Sequence, residues 1–409
     1  MNYKDIIFDR EAGPLLLAIN ISRLAAGLVP FGLIAMYSSK HEYMFAGIAS
    51  ALLMAAGTLT APYKGRVVMR FTPLRTIIPM SVGYCLCVGF GAFLSFIDKP
   101  FYVAVVFLLM GTLIAPPTPA LVRTLWTRLA LTDSHNRALH TLDSVSEELV
   151  FAITPLITTF FWSTVGAFWA IPVGLFCGFI GTTAIITLAG RNYTSTHNLI
   201  SHPLSVGKSE GHEYQMHDVR SIYFNRITWG ILGPMLGLGS AMGALSILLT
   251  KWSETILSEQ SMAGVFLSII SFSGFFVGLL FGKVNAESIS TQAQYRMASL
   301  AVAIGVIVIT LGGNLFFVVI GSVILGSGMT IMFITSFMLI GAYYLEIRQT
   351  EMNAAIGASF DVGSGVANLS TGFLLSYFSL NLSLCLLSVV VILFTSMSFF
   401  IEAPAGYRR

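Results

Sequence analysis

Apolar runs of about twenty residues follow one another from residue 14 to residue 401, and this recurrence constrains the chain more than any motif in it. A helix rises ~1.5 Å per residue, so each run reaches across a hydrocarbon layer ~30 Å thick. Twelve such spans are legible, at 14–37, 43–62, 75–97, 100–122, 140–162, 167–189, 227–250, 262–281, 297–313, 315–341, 353–377 and 380–401. Only 10% of the residues are charged and the mean hydropathy is +0.81, whereas soluble chains carry about 25% charged residues. The long polar surfaces that a large soluble core would need are absent. The expected fold is all-α and integral to a membrane, with twelve transmembrane helices.

Six spans precede and six follow the one long hydrophilic stretch, 190–226. Residues 1–189 therefore read as an N-terminal six-helix half, 190–226 as a cytoplasmic linker and 227–409 as a C-terminal six-helix half. With both termini in the cytoplasm, 18 of the 22 Lys and Arg fall inside, only Lys40, Lys99 and Lys251 fall outside, and Arg23 lies within a span. That asymmetry sets the orientation. The five tryptophans sit near span ends, where an interfacial aromatic belt belongs. The two halves echo each other at an offset of 217, as in Gly65-Arg66-Val67 against Gly282-Lys283-Val284, which predicts a pseudo-symmetric duplication. The opening MNYKDIIFDREAG mixes both signs of charge and has no small-residue cleavage site, unlike a secretory leader.

Five charged residues lie well inside spans: Arg23 in the first, Asp143, Glu147 and Glu148 in the fifth, and Asp361 in the eleventh. A charged side chain at mid-bilayer costs at least ~2.5 kcal/mol, so each needs a partner, water or a proton. Asp143 and Glu147 are i,i+4 neighbours on one helix face, and Glu148 lies ~100° further round, so this helix meets protein or water over a wide arc. Asp143, one turn shallower, reads as an interfacial charge near His140 or Arg137. Asn20, three residues before Arg23, and Asn368, seven after Asp361, share faces with those charges and are candidates to line a cavity.

The fourth span carries Pro116, Pro117 and Pro119, which remove three backbone donors and should kink or break it. The seventh holds Pro234, a further candidate helix breaker, among Gly233, Gly237 and Gly243, a pattern suited to close packing and bending. The linker histidines His197, His202, His212 and His217 read as a solvated loop. Cys85, Cys87, Cys177 and Cys385 lie in apolar spans and read as small hydrophobes. No metal site, cofactor, nucleic-acid surface, phosphate loop or soluble catalytic domain is expected, which argues against an enzyme and against a pump driven by ATP on this chain.

The segment GRVVMRFTPLR, 65–75, resembles the signature loop after the second span of the major facilitator superfamily, through Gly65, Arg70, Phe71 and Arg75. Met69 stands where the family has Asp, and Thr72 where it has Gly. The resemblance in architecture covers essentially the whole chain. It implies that this loop latches the cytoplasmic face, and that the first and fifth helices border a central cavity. Arg23 is then expected to pair with Glu147 or Glu148, with the surplus carboxyl facing water or carrying a proton. A structural polar cluster is the other reading of the same charges. The expected activity is secondary active transport of a small organic solute by alternating access in a cell membrane. It would be proton-coupled, by a monomer, with efflux of drug-like or sugar-like compounds favoured over nutrient uptake by a symporter. A non-transporting receptor or assembly protein of the same fold is the alternative.

Overall fold

The computed structural model describes residues 8–70, 73–129, 133–192, 225–281, 289–311, 313–344 and 346–401. Thirteen α-helices occupy them, and each expected span contains at least part of one. The first set is α1 (Ala12–Ser39), α2 (Tyr43–Arg70), α3 (Pro73–Phe96), α4 (Phe101–Ile114), α5 (Thr118–Leu129), α6 (Asp133–Thr164) and α7 (Ala170–Asn192). The second is α8 (Arg226–Leu257), α9 (Ala263–Phe281), α10 (Thr291–Thr310), α11 (Leu315–Tyr343), α12 (Glu346–Tyr377) and α13 (Leu380–Ser396). Among the described residues, nine helical segments are long and apolar enough to cross a membrane. The chain is a multi-pass membrane protein. Residues 193–224 of the linker, with its histidines, lie outside the described residues.

Helix starts follow the sequence closely. Asn225, Ser290, Asn314 and Ser379 each accept a hydrogen bond from a backbone N–H of the first turn, which satisfies donors with no partner inside the helix. Helix ends do not follow hydropathy as well. α2 continues to Arg70, eight residues beyond the apolar run, and α6 begins at Asp133, seven before it. A polar stretch can keep its helical hydrogen bonds once outside the hydrocarbon.

The proline expectations divide. Pro116 and Pro117 lie between α4 and α5, so the fourth span is broken outright, and Pro119 takes the second position of α5, where its missing N–H costs nothing. Consecutive prolines also push the residue before each away from helical backbone angles, which explains a break rather than a bend. Pro234, expected as a breaker, does not interrupt α8. Its ring would crowd the Cβ of the preceding residue, and Gly233 has none. Gly237 meets α13, Gly233 meets Met397 just beyond it, and Gly243 meets Ser364 of α12.

Each set packs by the same plan. α1 packs on α6 and α7, α2 on α4, and α3 on α4 and α7; correspondingly α8 packs on α12 and α13, α9 on α11, and α10 on α11 and α13. α8 is deeply enclosed, whereas α3 presents Leu86, Phe90 and Phe93 outward, as a lipid-facing helix would. The sets meet through α1–α8, α2–α12 and α6–α9. Close backbone approach makes the second of these contacts: a Cβ on Gly47 would stand 2.4 Å from the Asn368 carbonyl oxygen.

Candidate functional site

The α1–α6 contact is set by Gly27, where a Cβ would fall 2.2 Å from Thr154 Oγ1. One turn earlier on α1 is Arg23. Its Nη1 and Nη2 donate to Asp143 Oδ1 and Oδ2, both at 2.9 Å, in a bidentate pair. Nη1 also reaches the Asp143 carbonyl at 3.2 Å and Ser146 Oγ at 3.5 Å, and Nη2 reaches Glu147 Oε2 at 3.3 Å. The Arg23 and Asp143 side chains are 13% and 7% exposed, while Glu147 is 39% exposed. Two charges are thus buried against each other, and the third faces open space.

The expected Arg23–Glu147 contact is present, but it is not the main one. Asp143, read as an interfacial charge, is the main partner of Arg23, Glu147 is the second, and Glu148 takes no part. The reason is side-chain direction. α1 and α6 run the same way, and the Gly27–Thr154 contact puts the Arg23 Cα level with residue 150. Helical side chains tilt toward the helix N-terminus, so the long guanidinium drops about a turn and arrives at residues 143–147.

Glu148 lies on the face of Pro155 and Thr159, seven and eleven residues further along α6. That face meets α9 near one end of the bundle: Thr159 Oγ1 donates to the Ser261 carbonyl at 2.8 Å, and a Cβ on Gly264 would stand 2.5 Å from the Pro155 carbonyl oxygen. Glu148 therefore sits two turns along the surface that the first set turns toward the second. Among the described residues it has no ion-pair partner.

From the other set, Asp361 Oδ2 accepts from Thr58 Oγ1 at 2.9 Å across the α2–α12 contact. Asn368 is buried, accepts from Ser246 Oγ at 3.1 Å, and lies against Met54. It belongs to the seam between the sets. Asn20 donates to Leu16 O at 2.9 Å on its own helix, and its Oδ1 is buried. The side chains of Gly65 and Arg70 lie outside the described residues; Arg75 is exposed in the first turn of α3.

The two ends of the bundle differ. Near Tyr43 the sets are sealed: Glu254 of α8 takes a hydrogen bond from Tyr43, pairs with Lys251 Nζ at 3.0 Å and meets His41 Nδ1 at 3.2 Å. Among hydrogen bonds and ion pairs whose partners are both described, none joins the sets beyond Thr58–Asp361 toward the other end. There, among the described residues, the part of α12 before Asp361 is more open. Ala354 is exposed, and nothing lies within 4 Å of a Cβ placed on Gly357.

One charged residue escaped the sequence reading. Lys64, counted there with the loop cations, lies inside α2, is 5% exposed, and donates to the Thr112 carbonyl at 2.7 Å. The signal for it was indirect: the prolines of the fourth span free carbonyls that need a donor.

No protein-family profile and no curated protein sequence matches the chain. Solved structures do match in shape. A peptide transporter of the POT type in complex with sulfate superposes with a TM-score of 0.71 at 10% identity, covering 98% of this chain and 97% of that one. The nucleoside transporter NupG gives 0.67 at 11%, covering 95% and 100%. A bacterial homologue of the human lysosomal transporter Spinster, inward-facing and occupied, gives 0.63 at 12%, covering 96% and 98%. The chain has the fold of these transporters, over almost its whole length.

Proposed function

We propose that the chain is a secondary active transporter built from two six-span halves, 1–189 and 227–409, joined by a cytoplasmic linker. The halves would rock about a site near the membrane midplane. The Lys and Arg distribution supports an external Tyr43 end and cytoplasmic termini, and closure at that end would then make the arrangement inward-open in a cell membrane. The observation that carries this reading is the buried Arg23–Asp143 pair, with the partly exposed Glu147 at its edge. A fully structural ion pair needs no third carboxylate exposed beside it. Proton coupling follows from the same inventory. Arg23 neutralises one carboxylate, which leaves Glu147 and Glu148 as adjacent like charges on α6, the pair through which proton coupling would act. Asp361 offers a further carboxyl on the facing helix.

The cargo is a small organic solute. Neighbours of the same fold carry peptides and nucleosides, so those classes join drug-like and sugar-like compounds in a screen by thermal stabilisation in detergent. Any hit is then tested for flux in vesicles with an imposed pH gradient, which also gives direction and separates efflux from uptake. Glu147→Gln and Glu148→Gln are expected to abolish or flatten the gradient dependence in at least one case while binding persists. Unchanged gradient dependence in both variants would refute proton coupling through α6. Hits without flux would favour the receptor alternative.

A further inference from the structure

In an unbroken helix the N–H of residue 116 would bond to the carbonyl of Thr112. Pro116 has no N–H, and the remaining backbone contact to that oxygen, from Ala115, is long at 3.3 Å. The Thr112 hydroxyl cannot substitute, because it donates to Leu108 O at 2.9 Å. The donor comes from another helix. The Lys64 ammonium reaches the freed carbonyl at 2.7 Å from a buried position on α2. Among the described residues Lys64 has no carboxylate partner. A buried ammonium without an opposite charge is costly, and a plain residue in place of Pro116 would fill the same hydrogen bond from within the helix. The pairing of a break with an expensive cap is the feature to be explained.

We propose that Lys64 is a positioning residue for the transport cycle: it caps the carbonyl that Pro116 strands, holds the fourth span in its broken form, and ties that break to α2. α2 is also one of the helices that meet the other half, through Gly47 at Asn368 and Thr58 at Asp361. The break between α4 and α5 therefore moves with a helix whose contacts must be remade when the halves rock. The cap itself is read directly from the structure; its part in the cycle rests on the transporter reading.

The test is a mutational cycle on the full chain in detergent, with two readouts. Lys64→Met is expected to lower the melting temperature by roughly 5 °C, and Lys64→Gln, which keeps a donor, by less. Adding Pro116→Ala and Pro117→Ala to Lys64→Met returns the backbone donors and should restore the melting temperature. The second readout is the distance between spin labels placed across each end of the bundle, which needs no cargo. The protein with native Lys64 and prolines should populate both an inward-open and an outward-open distance, and the proline-replaced variant only one, despite its restored stability. A Lys64→Met protein as stable as the parent would overturn the cap. A proline-replaced variant that exchanges between both states like the parent would overturn the role in the cycle. A parent with one fixed distance under all conditions would instead remove the transporter reading and leave the stability cycle to judge the cap.

Discussion

Arg23, Lys64, Asp143, Glu147 and Glu148 belong to the first set of helices, and 217 residues further on stand Ser240, Phe281, Phe360, Ser364 and Gly365. At the same offset Pro116 becomes Phe333, and α11 runs unbroken from Leu315 to Tyr343. Yet the packing plan of the two sets is the same. The shared skeleton therefore depends on what the sets have in common, close backbone approach at small residues. Gly27 against Thr154 in one set is matched by Gly239 against the Phe360 backbone in the other. Charges and the helix break are additions to one copy. Where the second set buries polar groups it uses neutral ones, such as Ser246 with Asn368, which cost less to desolvate than an ion pair. The proposed site thus draws its charges mainly from the first set, and the second adds Asp361 at the α2–α12 contact.

That contrast can be broken at its strongest point. Arg23→Met strands two carboxylates beside a buried site and should cost about 3–5 kcal/mol, read as lost folded yield or a collapsed melting temperature in detergent. Ser240→Ala, at the matching position, should cost under about 1 kcal/mol. Equal losses would mean that the charges are no more than packing. The seam between the sets is the next target. Gly47→Val pushes α2 off the Asn368 carbonyl and should disfavour the sealed end by about 2 kcal/mol, some tens of fold in state populations measured by label distances. Gly357→Ala, on the more open part of α12, should leave those populations unchanged. Glu254→Gln weakens one bridging group at the sealed end, and a shift of about 1 kcal/mol toward the unsealed state is expected in the same measurement. The smallest effect belongs to Asp361→Asn. The amide oxygen still accepts from Thr58, so the melting temperature should move by no more than about 0.5 kcal/mol equivalent, measured by thermal unfolding in detergent. A large loss there would give the second set a charge partner of its own.

Much of this was legible before any coordinates. Apolar runs marked the helices, and three prolines in four residues marked the break, because both are properties of the chain alone. The identity of Arg23's partner was not. Counting residues from each span's start makes Arg23 and Glu147 look level, but a guanidinium travels along the helix before it bonds, and only the Gly27–Thr154 contact fixes the register. Lys64 was missed for a related reason. Hydropathy ends a span at the first charges, so a lysine just past the apolar run is counted with the loops. Its stem then carries the ammonium back toward the helix N-terminus, into the layer from which hydropathy excluded it. Likewise Pro234 announced a break that Gly233 beside it cancels.

The triad around Arg23 has an electrical consequence. One guanidinium against Asp143 and Glu147 leaves a single negative charge in a layer of low dielectric constant whenever Glu147 is ionised. In the proposed cycle, moving α1 and α6 would carry that charge through part of the membrane field, where a full crossing is worth about 2.3 kcal/mol per 100 mV. Membrane voltage would then have a purchase on the conformational balance.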